Sequence, residues 1–343
     1  MVWERFGDVP NYVEPFYGSG AVLLGRPHEP QIETVNDKDG FVANFWRATI
    51  ADPERVAHEA DWPVNENDLH ARHVWLVGQR ETLTARLEGD PAYYDARIAG
   101  WWVWGLCCWI AGGWCAGNGP WNTVDGVMKN TGDGVKRQRV HLGDAGQGVH
   151  RKLVHLGDAG RGVHRQLVHL GDAGQGVHRQ RVHLGNAGQG VHRKRELVVY
   201  FTALRERLRN VRVCCGDWSR VCGPTPTVKQ GLTGVFLDPP YGDEADRDMT
   251  CYAEDSGTVA ADVRAWALAH GDDALLRIAL CGYDTEHVMP GWTAVPWKAH
   301  GGYGSQSDGR GRENAAREVV WFSPHCLDAR QLGLFPVAHA AAV

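Results

Sequence analysis

Short apolar runs alternate along this chain with glycine- or proline-bearing turns and longer stretches of helical spacing, and that alternation predicts its elements. Residues 11–14 read as a short strand. Pro15-Phe16-Tyr17-Gly18-Ser19-Gly20 follows as a glycine-bearing turn, and Ala21-Val22-Leu23-Leu24 opens a helix. Residues 33–36 form a second strand, ended by Asp37, after which Phe41, Phe45 and Trp46 recur at helical spacing. Residues 51–100 are polar and helical, with a break at Trp62-Pro63. Residues 98–114 are apolar, but the run is shorter than the roughly 20 residues a membrane span needs. It also carries four glycines, so it reads as a buried, tryptophan-rich helix and loop. From residue 197 the alternation resumes, with strands expected at 211–214, 235–237 and 274–281. Residues 293–297 and 318–322 suggest a closing antiparallel pair, with a basic glycine-rich loop between them. Strands alternating with helices predict an α/β fold, an open doubly wound mixed sheet with an inserted region.

The inserted region contains an internal repeat. Four copies of a 14-residue unit begin at Val140, Val154, Val168 and Val182, each opening Val-His-Leu-Gly. Glycines clustered as Gly-Asp-Ala-Gly-Gln-Gly oppose a continuous helix. The expected form is therefore an extended piece of eight residues, such as 149–156, followed by a six-residue glycine turn, stacking into a ribbon. Eight of the seventeen histidines lie in these copies. Phosphate and base contacts, metal binding, or a recent duplication in a tolerated loop are all readings of that composition.

Charge sharpens the picture. The chain of 343 residues has net charge −5, but residues 136–195 hold twelve Lys/Arg against three acids, so that segment is +9 and the rest −14. A basic block on an acidic body points to a polyanion partner at one place. Arg151, Lys152, Arg165, Arg179, Arg193 and Lys194 in the repeats, with Arg310 and Arg312 in the later glycine-rich loop, are the candidate DNA contacts. The nine cysteines include no Cys-x-x-Cys pair, which argues for reduced thiols, against a zinc site and for the cytoplasm. The first residues, Met1-Val2-Trp3-Glu4-Arg5, lack the form of a signal peptide. No membrane association and no metal are expected, and the chain is expected to act as a monomer.

Four strand ends carry glycine or acid. Gly18 and Gly20 let backbone approach a ligand closely. Asp37 ends the second strand, where a carboxylate can accept from ribose hydroxyls. Asp217 ends the third strand, and Asp238 ends the fourth as part of Asp238-Pro239-Pro240-Tyr241. The two prolines have no backbone N–H, which leaves nearby carbonyls as acceptors beside the Asp238 carboxylate. Together these accept both hydrogens of an exocyclic amino group, and Tyr241 can stack on the ring of a base swung out of a duplex. An ordinary strand followed by a Pro-Pro turn is the plainer alternative. The glycine turn lacks the third glycine of the dinucleotide fingerprint, and no Gly-Lys-Ser/Thr follows a glycine loop, so an adenosine ligand without a triphosphate remains.

In order, Glu14-Pro15-Phe16-Tyr17-Gly18-Ser19-Gly20, Asn36-Asp37, Cys215-Gly216-Asp217-Trp218 and Asp238-Pro239-Pro240-Tyr241 resemble the motifs of the Dam-like (D12) DNA adenine-N6 methyltransferases, many of them phage-borne and some paired with restriction enzymes. The resemblance covers roughly residues 10–50 and 197–325. It implies S-adenosylmethionine as cofactor, double-stranded DNA as substrate, and a class I, Rossmann-like methyltransferase fold. It further implies that Phe16, Gly18 and Gly20 cradle the methionine part of the cofactor and that Glu14, Pro15 and Ser19 also line its site. Asp37 would hold its ribose, and Asp217 with Trp218 its adenine. Asp238, Pro239, Pro240 and Tyr241 would be catalytic. Cytosine N4 or RNA as target, and an inactive DNA-binding module, are the alternatives. The family's glycine- and lysine-bearing segment before the first strand has no counterpart in Val2–Gly7, so a missing amino-terminal segment is also expected.

The domain plan that follows has residues 1–50 and 197–325 as two parts of one catalytic unit. Residues 51–196 form an inserted target-recognition region, including the tryptophan-rich stretch 98–121 and the repeats 140–195, and residues 326–343 form a tail.

Overall fold

The computed structural model describes residues 1–109, 114–115, 121–124, 127–130, 190–240, 258–297 and 317–328. The chain enters through helix α1 (Val2–Phe6), whose Trp3 and Phe6 are buried, and passes into strand β1 (Asn11–Glu14). Helix α2 (Ala21–Leu24), strand β2 (Ile32–Asp37) and helix α3 (Gly40–Ala51) follow. Three more helices come next: α4 (Pro53–Ala60), α5 (Glu66–Gly89) and α6 (Ala96–Cys108). Their starts are written in the sequence. Asp39, Asp52, Asn65 and Asp95 each cap a helix by accepting from backbone N–H groups of its first turn, and Pro53 begins α4. The break at Trp62-Pro63 falls between α4 and α5, as expected.

Strands β3 (Trp121–Val124) and β4 (Val127–Asn130) pair antiparallel in a separate two-stranded sheet. Sequence reading missed this hairpin, although Asp125-Gly126 between two strand-forming runs is its usual signal. Helix α7 (Gly190–Leu208) leads back to β5 (Val211–Cys215) and β6 (Thr233–Leu237). Helix α8 (Val259–His270), β7 (Leu276–Tyr283), β8 (Thr293–Pro296) and β9 (Glu318–Phe322) complete the described chain.

Seven strands make one mixed sheet in the order β5-β2-β1-β6-β7-β9-β8. The first five are parallel, while β9 runs antiparallel to both β7 and β8. This is the open doubly wound arrangement, with the expected closing antiparallel pair. Its two faces are read from alternate residues. On β6, Phe236 packs into the larger core with Tyr12, Val35, Phe41, Trp46 and helices α3 to α7. Val235 and Leu237 face the smaller core, with Val13, Ile278, Leu280 and the Val263 and Ala267 side chains of α8. A central parallel strand buried on both sides reads as a nearly continuous apolar run, as β6 does after Thr233.

Two expectations are corrected. Strand β7 starts two residues later than the apolar run suggested, because a turn at Asp273 takes up the backbone N–H groups of Leu275 and Leu276. The Asp273 carboxylate accepts from Leu275 N (2.9 Å), and the Asp273 carbonyl accepts from Leu276 N (2.9 Å). The extended form expected for each repeat does not hold at its last copy, where residues 190–195 are already helical as the start of α7. There the six residues after the glycine cluster, Val-His-Arg-Lys-Arg-Glu, run on into a glycine-free helical sequence, and propagation is favourable once a helix has a nucleus. The preceding copies, and with them Arg151, Lys152, Arg165 and Arg179, lie outside the described residues, as do the side chains of Arg193 and Lys194. The first part of the tryptophan-rich stretch, up to Cys108, is helical as expected. Trp104 and Trp114 are buried, and the Arg72 guanidinium lies over the rings of Trp62, Trp101 and Trp104 at 4.5–4.6 Å.

Candidate active site

All five parallel strands end on the same edge of the sheet. Chain order there reverses at β1, which lies between β2 and β6. Open α/β sheets bind ligands at such a switch point, outside the carboxyl ends of the strands. Three candidate segments emerge there: the glycine turn after β1, Asp37 at the end of β2, and Asp238 after β6. The pairing of Val13 with Val235 places the turn and Asp238 on neighbouring strands. A 580 Å³ surface cleft lined by Arg26, His28, Glu206 and Arg209 lies instead among the loops entering β2 and β5, at the opposite edge, and takes no part in this arrangement.

The glycine turn is held from several directions. Gly20 has φ +66°, and its N–H donates to the Tyr17 carbonyl (2.8 Å). A Cβ at Gly20 would stand 2.7 Å from the Tyr17 ring. The Gly18 carbonyl accepts from the Trp46 indole N–H on α3 (3.0 Å). Gly18, with φ +45°, has open space where its side chain would be, the kind of backbone against which a ligand can lie. Gly20→Ala should cost roughly 1–3 kcal/mol of stability, because an alanine there carries a left-handed backbone penalty as well as the clash. Denaturant unfolding measures this, and an unchanged midpoint would mean that the Tyr17 ring simply moves aside.

Asp37 faces the same turn. Its Oδ2 accepts from Gly18 N (2.9 Å) and its Oδ1 from Asp39 N (2.9 Å), which leaves a lone pair on each oxygen for a pair of hydroxyls. Burial, and then the neighbouring Asp39, push its carboxyl up to about 7, against the two hydrogen bonds that lower it. Asp217 is exposed, and its carboxylate caps the short 3-10 turn Trp218–Val221 through Ser219 N (3.0 Å) and Ser219 Oγ (2.5 Å). Phe16 and Trp218, one from each turn, stack at 6.2 Å.

Asp238 stands at the tip of β6, followed by buried Pro239 and half-buried Pro240. Water reaches the Asp238 side chain from outside while protein encloses it on the other sides. That enclosure, and then the Glu286 carboxylate, lift its carboxyl to about 6. Tyr241, Arg310 and Arg312 lie outside the described residues.

Glu14 occupies a different position from its sequence neighbours. It is buried beneath the turn, accepts from the Tyr12 hydroxyl (2.9 Å) and is held well above the ordinary carboxylate range by burial. The Asp238 carboxylate raises it further. Two contributors were not read from the sequence, Trp46 under the turn and Glu286, which acts on Asp238 electrostatically, while Asn36, read there only as part of a motif with Asp37, meets both turns through its amide. Adjacency to Asp37 was the one available signal for Asn36. Trp46 and Glu286 lie on a helix and a loop whose approach to the site only folding decides.

Among the described residues no cluster of three metal-ligating side chains occurs, and no described helix is long and apolar enough to cross a membrane. The eight described cysteines are free thiols.

Residues 4–76 match the family described as D12 class N6 adenine-specific DNA methyltransferase. The matched span runs from α1 into α5, and so contains the glycine turn, Asn36 and Asp37 but stops short of Asp217 and Asp238. A search of curated proteins gave no match. The family match supports DNA adenine methylation as the general activity.

Proposed function

We propose that this chain, whose amino-terminal part carries the D12 class signature, transfers a methyl group from S-adenosylmethionine to the N6 amino group of an adenine flipped out of double-stranded DNA. The observation that carries the reading is the convergence of the glycine turn, Asp37 and Asp238 at one switch point of the sheet. The residues present fit the cofactor: Gly18 leaves open space against its backbone, and Asp37 keeps acceptor capacity for vicinal hydroxyls. S-adenosylmethionine, when bound, supplies an electrophilic methyl group on a sulfonium.

The chain's own residues supply the rest. An adenine N6 lone pair is delocalised into the ring and is a poor nucleophile. Hydrogen bonds from its N–H groups to the Asp238 carboxylate and the Pro239 carbonyl localise that pair on nitrogen. The same fixed acceptors then stabilise the positive charge that develops there. Attack would need nitrogen and methyl carbon about 3–3.5 Å apart and in line; the N–C bond would form as the S–C bond breaks, S-adenosylhomocysteine would leave, and the surplus N6 proton would pass to the Asp238 carboxylate or to water. Ionised Asp37 accepts from ribose hydroxyls, so cofactor affinity should rise as pH passes upward through about 7, where its carboxyl loses its proton.

Incubating the purified chain with DNA and labelled S-adenosylmethionine, then digesting to nucleosides, tests the reading. N6-methyladenine is the expected product. N4-methylcytosine, label in RNA alone, or DNA retention without cofactor binding would each replace it with another function.

The basic repeats are assigned to DNA contact. If about four to six of their side chains meet phosphates, log K should fall with log salt at a slope of about −4 to −5. Deleting residues 154–181, two whole copies, should flatten that slope, and an unchanged slope would make the repeats bystanders.

A further inference from the structure

Asn36 joins three strand ends through one side chain. It is 1% exposed at the end of β2. Its Nδ2 donates to the Pro15 carbonyl (3.1 Å) in the turn after β1 and to the Gly216 carbonyl (3.0 Å) in the turn after β5. Both partners are carbonyl oxygens, so only the NH2 end of the amide can face them. The backbone completes the knot. The Asn36 carbonyl accepts from Tyr17 N (2.9 Å), and the next carbonyl, that of Asp37, accepts from Gly216 N (3.2 Å). Gly216 has φ +129°, a conformation that turns its carbonyl toward β2 and is open chiefly to glycine.

These bonds bear on the site directly. The segments they hold carry Phe16 and Gly18 on one side and Asp217 and Trp218 on the other. Parallel strands are tied to each other only as far as their ladders run, and the ladders stop where these turns begin. Beyond that point the separation of the two turns depends on what crosses between them, and the Asn36 amide is bonded to both.

We propose that Asn36 is a positioning residue, whose amide clamps the glycine turn after β1 to the acidic turn after β5 and so sets the shape of the cofactor crevice between them. This rests on the methyltransferase reading for its consequence, but not for the clamp itself.

Amide hydrogen exchange on the unliganded protein tests the clamp, and titration calorimetry with S-adenosylmethionine tests its consequence. Asn44→Ala is the matched control. Asn44 is equally buried and also makes two hydrogen bonds, donating to the Asp95 carbonyl (2.8 Å) and accepting from Asp95 N (2.7 Å), but it joins α3 to the start of α6. In Asn36→Ala the Tyr17 and Gly216 amides should exchange roughly 10- to 100-fold faster, the effect of losing two buried hydrogen bonds. Cofactor affinity should fall by about tenfold or more, while Asn44→Ala leaves both readouts near wild type. Asn36→Ser, which is smaller but keeps a donor, serves if the alanine variant does not fold.

Unchanged exchange at Tyr17 and Gly216 would overturn the clamp. Faster exchange with unchanged affinity would overturn its role in shaping the crevice, as would an equal loss of affinity in Asn44→Ala. A wild-type protein that binds no S-adenosylmethionine would instead remove the methyltransferase reading, and the exchange data would still decide the clamp.

Discussion

Asp238→Ala is expected to lower methyl transfer by at least about 100- to 1,000-fold, the usual cost of removing one fixed partner of transition-state charge. Cofactor affinity should stay within about threefold of wild type, because the proposed function has Asp238 meet the base and Asp37 the ribose. Single-turnover rates and calorimetry on the same preparation separate the two. Retained transfer would remove Asp238 from the chemistry, whereas lost cofactor binding would mean that the substitution had disturbed the glycine turn next to it.

The same carboxylate should govern the acid side of the pH profile. Only its ionised form accepts both well and with charge. The protein enclosing it on its inner sides and the Glu286 carboxylate hold its pKa up, at about 6, so the rate should fall as pH drops through that region. The effect on stability has the opposite sign. A carboxyl group raised by folding favours the fold most below its unfolded pKa, and that contribution is lost as pH rises through about 6. Rate and stability should therefore move in opposite directions across the same window, which distinguishes titration of Asp238 from general acid unfolding.

Glu33→Ala should destabilise the protein by about 3–5 kcal/mol, the largest loss of stability foreseen here, because it strands two guanidinium groups in the interior. The Glu33 side chain is 3% exposed on β2. Arg207 of α7 binds it with two bonds (2.7 and 2.9 Å), and Arg26 with one (3.2 Å). Both arginines are anchored further. Arg207 donates to the Leu23 carbonyl (2.9 Å), and Arg26 donates to the Val9 carbonyl (2.6 Å) while lying over the Trp3 ring. This triad ties α7, which follows the repeats, to β2 and α2, which precede them. A break there should therefore loosen the union of the two halves of the sheet. Denaturant unfolding gives the size, and a loss below about 1 kcal/mol would mean that water enters and solvates the arginines.

Local order was largely legible in the residues themselves. Strand β1, helix α2, the helix carrying Phe41, Phe45 and Trp46, the break at Trp62-Pro63 and the antiparallel pair β8–β9 follow from apolar periodicity, glycines and prolines, all of which act over a few residues. So do Asp37 and Asp238 at strand ends, since an acid just after an apolar run marks where a buried strand reaches the surface. The hairpin β3–β4 and the start of β7 were misread for lesser reasons: an overlooked Asp-Gly signal and an Asp273 turn that competes with the ladder.

What no stretch of sequence contains is distance between segments far apart in the chain. Asn36 and Gly216 are separated by 180 positions, and Glu33 and Arg207 by 174, yet each pair meets within hydrogen-bonding reach. The strand order that sets β1 between β2 and β6 made those meetings, and it also brought Trp46 under Gly18 and Glu286 near Asp238. The amino-acid order determined which groups stand at the strand tips. Only the packing of the sheet decided which tips are neighbours, because that choice is settled by burial of both sheet faces at once rather than by local preference.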